Sequence, residues 1–199
     1  MKLLVKVFYL IAIVSCSINT YADLYQTGIY LSAENLAQGK AEEEGLDTKL
    51  KTFGVDLYKT AALNPTLDRY FSLGIGLTGA DDKESFEQGV QQGSGGPVFE
   101  KKSSIFGASI FGDMGLSKSL NAKTIAFVGL GSSYYFLKRE ISDCTGCKVE
   151  KINLSFAPYA KLGLNFCGDN SCLDISYRYF MTDDYVQGIG ISWRTPRRN

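Results

Sequence analysis

Between Ile152 and Phe166 the chain alternates. Ile152, Leu154, Phe156, Pro158, Ala160, Leu162, Leu164 and Phe166 take the even positions, and Asn153, Ser155, Ala157, Tyr159, Lys161, Gly163 and Asn165 the odd ones. Successive side chains of a strand point to opposite faces, so the stretch reads as a strand with one apolar and one polar face. It outruns the usual soluble strand of about five or six residues. Its length suits a tilted strand crossing a bilayer, which needs roughly nine to eleven residues of such alternation. The expectation is a strand whose apolar side, with Leu154, Phe156, Leu162 and Leu164, meets lipid.

Seven further runs share the period, over 24–33, 48–60, 67–79, 104–116, 124–137, 172–180 and 185–194. In the last two, Leu173, Ile175, Tyr177 and Tyr179 oppose Asp174, Ser176 and Arg178, and Ile189, Ile191 and Trp193 oppose Gly188, Gly190 and Ser192. The connections between runs alternate between long polar ones (34–47, 80–103, 138–150) and short ones (61–66, 117–123, 166–171), with 181–184 a short exception. An even number of alternating strands with long connections at one end is the pattern of outer-membrane barrels. The predicted fold is an all-β, eight-stranded antiparallel up-and-down transmembrane β-barrel. Helix formers concentrate in 33–50, where 37–44 can make a turn or two. No apolar run after Ala22 approaches the roughly eighteen residues of a spanning helix, so any entry into a membrane is by strands.

Alternation does not say which face looks outward, and a soluble lipocalin-like barrel shows the same period with the faces exchanged. Two features favour lipid outside. The polar face is rich in glycine (Gly54, Gly74, Gly76, Gly107, Gly129, Gly131, Gly163, Gly188, Gly190), and a narrow lumen favours small side chains. Its charges, Asp56, Asp113, Lys161, Asp174, Arg178 and Arg194, balance as acids against bases and can pair to offset desolvation. Outward positions then include Ile175, Tyr177, Ile189, Ile191 and Trp193. Aromatic residues near strand ends, such as Tyr134, Phe136, Tyr179 and Trp193, suit the headgroup level, although strands favour aromatics in any case. An eight-stranded barrel is about wide enough for its own side chains, and Tyr58, Tyr135, Tyr159 and Arg178 are large enough to fill it.

The chain opens with a basic head carrying Lys2 and Lys6, continues through a short apolar run from Val7 to Val14 and reaches Tyr21-Ala22 before Asp23, which reads as a secretory signal peptide over 1–22 with the barrel domain over 23–199. Ile13-Val14-Ser15-Cys16 also resembles a lipobox that would lipidate Cys16. Removing Lys2 and Lys6 takes the charge from 21 bases against 21 acids to a small acidic excess, which makes no electrostatic case for nucleic acid. Export favours disulfides. Cys167 and Cys172 flank a tight Gly168–Ser171 turn, and Cys144 and Cys147 sit in a polar connection beyond the long strand, so two local disulfides are expected, one at each end. Extended chain keeps the pairs too far apart to bridge or to share a zinc ion, and CxxC redox chemistry lacks its βαβ context.

The closing residues Leu173-Asp174-Ile175-Ser176-Tyr177-Arg178-Tyr179-Phe180 and Gly188-Ile189-Gly190-Ile191-Ser192-Trp193-Arg194 resemble the last hairpin of small OmpA/OmpX-like and opacity-type outer-membrane β-barrel proteins. Such chains commonly finish on an aromatic residue, whereas this one runs on from Thr195 to Asn199. The resemblance implies an outer-membrane location and roles in adhesion, envelope integrity or host contact.

The chain contains no histidine, so Ser-His-Asp and Cys-His sites are excluded, and a catalytic function, a cofactor or a metal is not expected. The expected partners are outer-membrane lipids and lipopolysaccharide, with a surface or host ligand at the loops and a monomeric state. Glu42-Glu43-Glu44, Asp81-Asp82 and Asp183-Asp184 are either solvated or hold divalent cations that bridge lipopolysaccharide phosphates. A soluble periplasmic lipid-binding barrel and a narrow solute channel are the competing readings.

Overall fold

The computed structural model describes residues 26–82, 88–91, 98–101, 104–140 and 150–194. The expected signal segment, Cys16, Cys144 and Cys147 lie outside these residues, as does the Gly-rich run 92–97.

The strands are β1 (Gln26–Leu36), β2 (Leu46–Asn64), β3 (Leu67–Asp82), β4 (Gln88–Gln91), β5 (Val98–Lys101), β6 (Ser104–Ser119), β7 (Thr124–Glu140), β8 (Glu150–Ile152), β9 (Ala157–Cys167), β10 (Cys172–Phe180) and β11 (Tyr185–Arg194), with one helix, α1 (Gln38–Glu44). Every pairing in the main sheet is antiparallel, between strands that follow one another round the wall from β1–β2 to β10–β11, with β4, β5 and β8 lying within the connections. β1 then pairs with β11, Gly28 opposite Arg194 and Ile29 opposite Trp193, and the sheet closes. The wall is an eight-stranded up-and-down barrel of β1, β2, β3, β6, β7, β9, β10 and β11. β8 adds a short ladder to the upper part of β7, and β4 and β5 form a separate hairpin in the second long connection.

The short connections follow from local chemistry. Asn64 Oδ1 accepts from the Thr66 amide at 3.0 Å and closes the β2–β3 turn around Pro65. Asn121 Oδ1 does the same for the Lys123 amide at 2.9 Å between β6 and β7. Cys167 and Cys172 face each other at the β9–β10 turn with a Cα–Cα separation of 4.1 Å and form a disulfide.

Along β2 the side chains from Leu50 to Tyr58 alternate without a break between buried and exposed, with Phe53, Val55 and Leu57 outside and Thr52, Gly54 and Asp56 inside. The outer surface is a continuous apolar band, with Ile75, Leu77, Leu130, Leu162, Ile189 and Trp193 each more than half exposed. The strands at the long-loop end run further than the alternation suggested, β2 beginning at Leu46 and β7 reaching Glu140. β2 also continues to Asn64 at the other end, because Lys59 to Ala62 keep pairing with β3.

The structure corrects the reading of the 152–166 stretch. Residues 153–156 leave the sheet, so β9 starts at Ala157 and only β8 remains of the upper part. The alternation changes phase across this break. Even positions face inward before it and outward after it, because unpaired residues let one side chain slip to the opposite face. Leu154 is therefore not on the outer face; it is 7% exposed and packs with Ile152 inside the barrel mouth. Phe156, Leu162, Leu164, Ile175, Ile189, Ile191 and Trp193 are exposed on the outside, and Tyr177 is half-exposed there.

Candidate functional site

The inward-facing side chains fill the barrel in three layers. Nearest the short turns, Arg194 donates to Asp56 through Nη2 at 2.6 Å and Nε at 3.1 Å, and to Asp174 through Nη1 at 3.0 Å. Ser192 Oγ donates to the other Asp56 oxygen at 3.1 Å, and the guanidinium lies 4.2 Å from the centre of the Tyr58 ring. One cation thus serves two carboxylates, each buried, in a geometry that offsets their desolvation.

On the opposite wall Lys161 Nζ reaches both Asp113 oxygens at 3.2 Å, and the Tyr159 hydroxyl donates to Asp113 at 3.1 Å. Above them Arg178 donates to Glu34 at 3.2 Å, and Ser32 donates to the same Glu34 oxygen at 2.6 Å. The rings of Tyr30, Phe111 and Tyr159 surround the Arg178 guanidinium at 5.1, 5.1 and 4.8 Å. A cation packed against aromatic faces is stabilised by their quadrupoles, and here it also blocks the bore.

At the long-loop end the mouth is closed by an apolar cluster of Leu36, Ala41, Leu46, Leu50, Leu137 and Leu154 with neighbouring aromatic residues. α1 lies across it. The helix ends at Gly45, whose φ of 66° is a left-handed conformation that favours glycine. Arg139 reaches out of the wall to the carbonyls of Glu44, at 2.5 Å, and Gly45, at 3.3 Å, and so caps the helix's negative end. Asp184 ties the rest of the mouth together, its carbonyl accepting from the Ala37 amide and its carboxylate from the Ser155 amide, both at 2.9 Å.

The structure therefore brings Asp56, Asp174 and Arg194 into one cluster, pairs Asp113 with Lys161, and gives Arg178 a partner the sequence did not suggest. Glu34 lies one residue past the expected end of the first strand, on the parity of Tyr30 and Ser32, and extending the alternation would have found it. Arg139 follows Tyr135 and Leu137 in the same way. With these two, the buried charges among the described residues are four acids and four bases. The carboxylate clusters are engaged locally: Lys40 pairs with Glu43 and Glu44, and Lys51 with Asp81. Partial shielding lowers the Lys40 pKa, but the hydrogen bonds to Glu44 and Glu43 outweigh it and leave the pKa raised. No group of three or more ligating side chains converges on a metal position among the described residues. At the short-turn end a cavity of about 370 Å³ remains, lined by Gln26, Tyr58, Asp68, Ser117, Asn165 and Asp169.

No family model matches the sequence, and no curated protein matches it. Among solved structures, the crystal structure of Ail, the attachment invasion locus protein of Yersinia pestis, is similar over 87% of this chain and 97% of that chain, at 16% identity and a TM-score of 0.56. The chain has the fold of a small outer-membrane β-barrel. The same Yersinia pestis protein in complex with the heparin analogue sucrose octasulfate is similar over the same shares of both chains, at 16% identity and a TM-score of 0.55.

Proposed function

We propose that this protein is an exported, non-catalytic β-barrel of the outer membrane that anchors its long connections at the cell surface, for adhesion, host contact or envelope integrity. The observation that carries the reading is the inversion of an ordinary soluble core. Paired charges and aromatic rings fill the inside, and an unbroken apolar band of Leu, Ile, Val and Phe faces outward. Exposing so large an apolar surface to water is costly, whereas hydrocarbon accepts it, and a closed barrel satisfies its backbone without an edge. A lipocalin-like carrier has the reverse arrangement. A channel is disfavoured because Arg178, its three rings and the apolar mouth occupy the bore.

The long connections between β3 and β6 and between β7 and β9, with α1, lie at one end and face the cell exterior in this reading. That Ail has been solved in complex with a heparin analogue supports a ligand-contacting role for this protein as well. Signal-peptide removal near Ala22, a second disulfide between Cys144 and Cys147, and a monomeric state belong to the same proposal. The test is fractionation of expressing cells. The protein is expected in the sarkosyl-insoluble envelope fraction with heat-dependent mobility on a gel, and recovery from the periplasm without detergent would refute the reading.

A further inference from the structure

We propose that Lys138 and Lys151 together hold the phosphate of a membrane lipid at the long-loop edge of the barrel. β7 and β8 place these two lysines directly opposite each other, and both are exposed on the outer face. Side chains directly opposite on one face stand about 4.5 to 5.5 Å apart at Cβ, and like charges there repel. Neither ammonium has an acidic partner among the residues whose side chains are described, in contrast to Lys40 and Lys51, which are both paired. An anion between them removes the repulsion.

The surroundings indicate which anion. Phe106 lies opposite Lys138 on the other side of β7, and Phe136 stands one outward position below it. Tyr134 and Phe136 meet edge to face at 4.6 Å, and Phe156 projects outward from the 153–156 segment that leaves the sheet at this height. The lysines thus sit where the apolar band ends, above exposed aromatic rings of the kind that occupy the headgroup level. A lipid presents its phosphate and its chains in that vertical order, whereas a free anion gains nothing from the rings. The inference rests on the barrel spanning a bilayer, as proposed above.

The test titrates the full chain in detergent micelles with dihexanoyl phosphatidic acid and, in parallel, with inorganic phosphate, following the amide resonances of Phe136, Lys138 and Lys151. Saturable shifts are expected with the lipid and not with phosphate at equal concentration. In Lys138→Gln/Lys151→Gln the affinity should fall roughly tenfold or more, given the attraction of each basic residue to an anionic surface. The double arginine variant and Lys49→Gln, which alters a separate exposed lysine, should bind as the wild type does. An equal response to inorganic phosphate, no saturable shift, or unchanged affinity in the double glutamine variant would overturn the proposal. Heat-dependent gel mobility is checked for each variant, and the single glutamine variants decide the matter if the double one does not fold. Failure of the bilayer reading itself would appear separately, as a wild-type chain that needs no detergent.

Discussion

Arg194 and Asp56 meet across a strand. Gly28 of β1 lies opposite Asp56 on one side and opposite Arg194 on the other, and because it has no side chain the two bond over it at 2.6 Å. A Cβ at Gly28 would collide with Asp56 Oδ1, Ser192 Oγ and Arg194 Cγ. The first and last strands are thus joined by backbone pairing and also by a buried ion pair centred on a glycine.

Replacing Arg194 with methionine leaves the Asp56 and Asp174 carboxylates buried without their cation. Breaking such a pair from one side costs about 3–5 kcal/mol. The expected result is a lower urea midpoint for unfolding in detergent, followed on gels by loss of heat-dependent mobility. Adding Asp56→Asn should recover part of the loss.

Gly28→Ala should lower stability by roughly 1–3 kcal/mol, as overpacking in a filled interior does. The same substitution at Gly39, where a Cβ meets nothing within 4 Å, should have little effect. Unfolding midpoints of the two variants compare the sites directly.

Much of this arrangement is legible in the sequence, because a strand's period of two assigns each residue to a face whatever its partners. Asp56, Asp113, Lys161, Asp174, Arg178 and Arg194 all lie on the parity that turns inward, and β10 and β11 have the bounds the alternation gives. Leu154 misleads because parity holds only within an unbroken ladder, and the chain leaves the sheet over 153–156. Glu34 and Arg139 carry the inward parity just past the expected strand ends, but their partners, Arg178 and the carbonyls that end α1, are brought to them only by closure of the barrel and folding of the helix over its mouth.

Arg139→Ala should free the C-terminal carbonyls of α1 at a cost of about 1.5–3 kcal/mol, the range for a hydrogen bond to a charged group. Amide exchange over 38–46 is expected to accelerate while that of β10 and β11 is unchanged. A uniform acceleration would show that Arg139 supports the barrel wall instead of the helix.

Purified protein in planar bilayers should give no stepwise conductance. Arg178→Ala should also remain silent, because the mouth cluster of Leu36, Leu46, Leu50 and Leu137 seals the bore independently. Reproducible single-channel steps in the wild type would contradict the occluded lumen.

Reduction of Cys167–Cys172 opens a loop with a sequence separation of 5. Closing so short a loop restricts the unfolded chain modestly, by roughly 2 kcal/mol in the chain-entropy account. A reduced sample should keep its heat-dependent mobility and unfold at a somewhat lower urea concentration.

Contact with hydrocarbon is measured most directly by nuclear Overhauser effects from lipid acyl-chain protons to side-chain methyl groups in a nanodisc. Strong effects are expected at Ile75, Leu162, Ile189 and Ile191 and none at Leu50, Leu137 or Leu154. Acyl-chain contacts at the second set with none at the first would contradict the account.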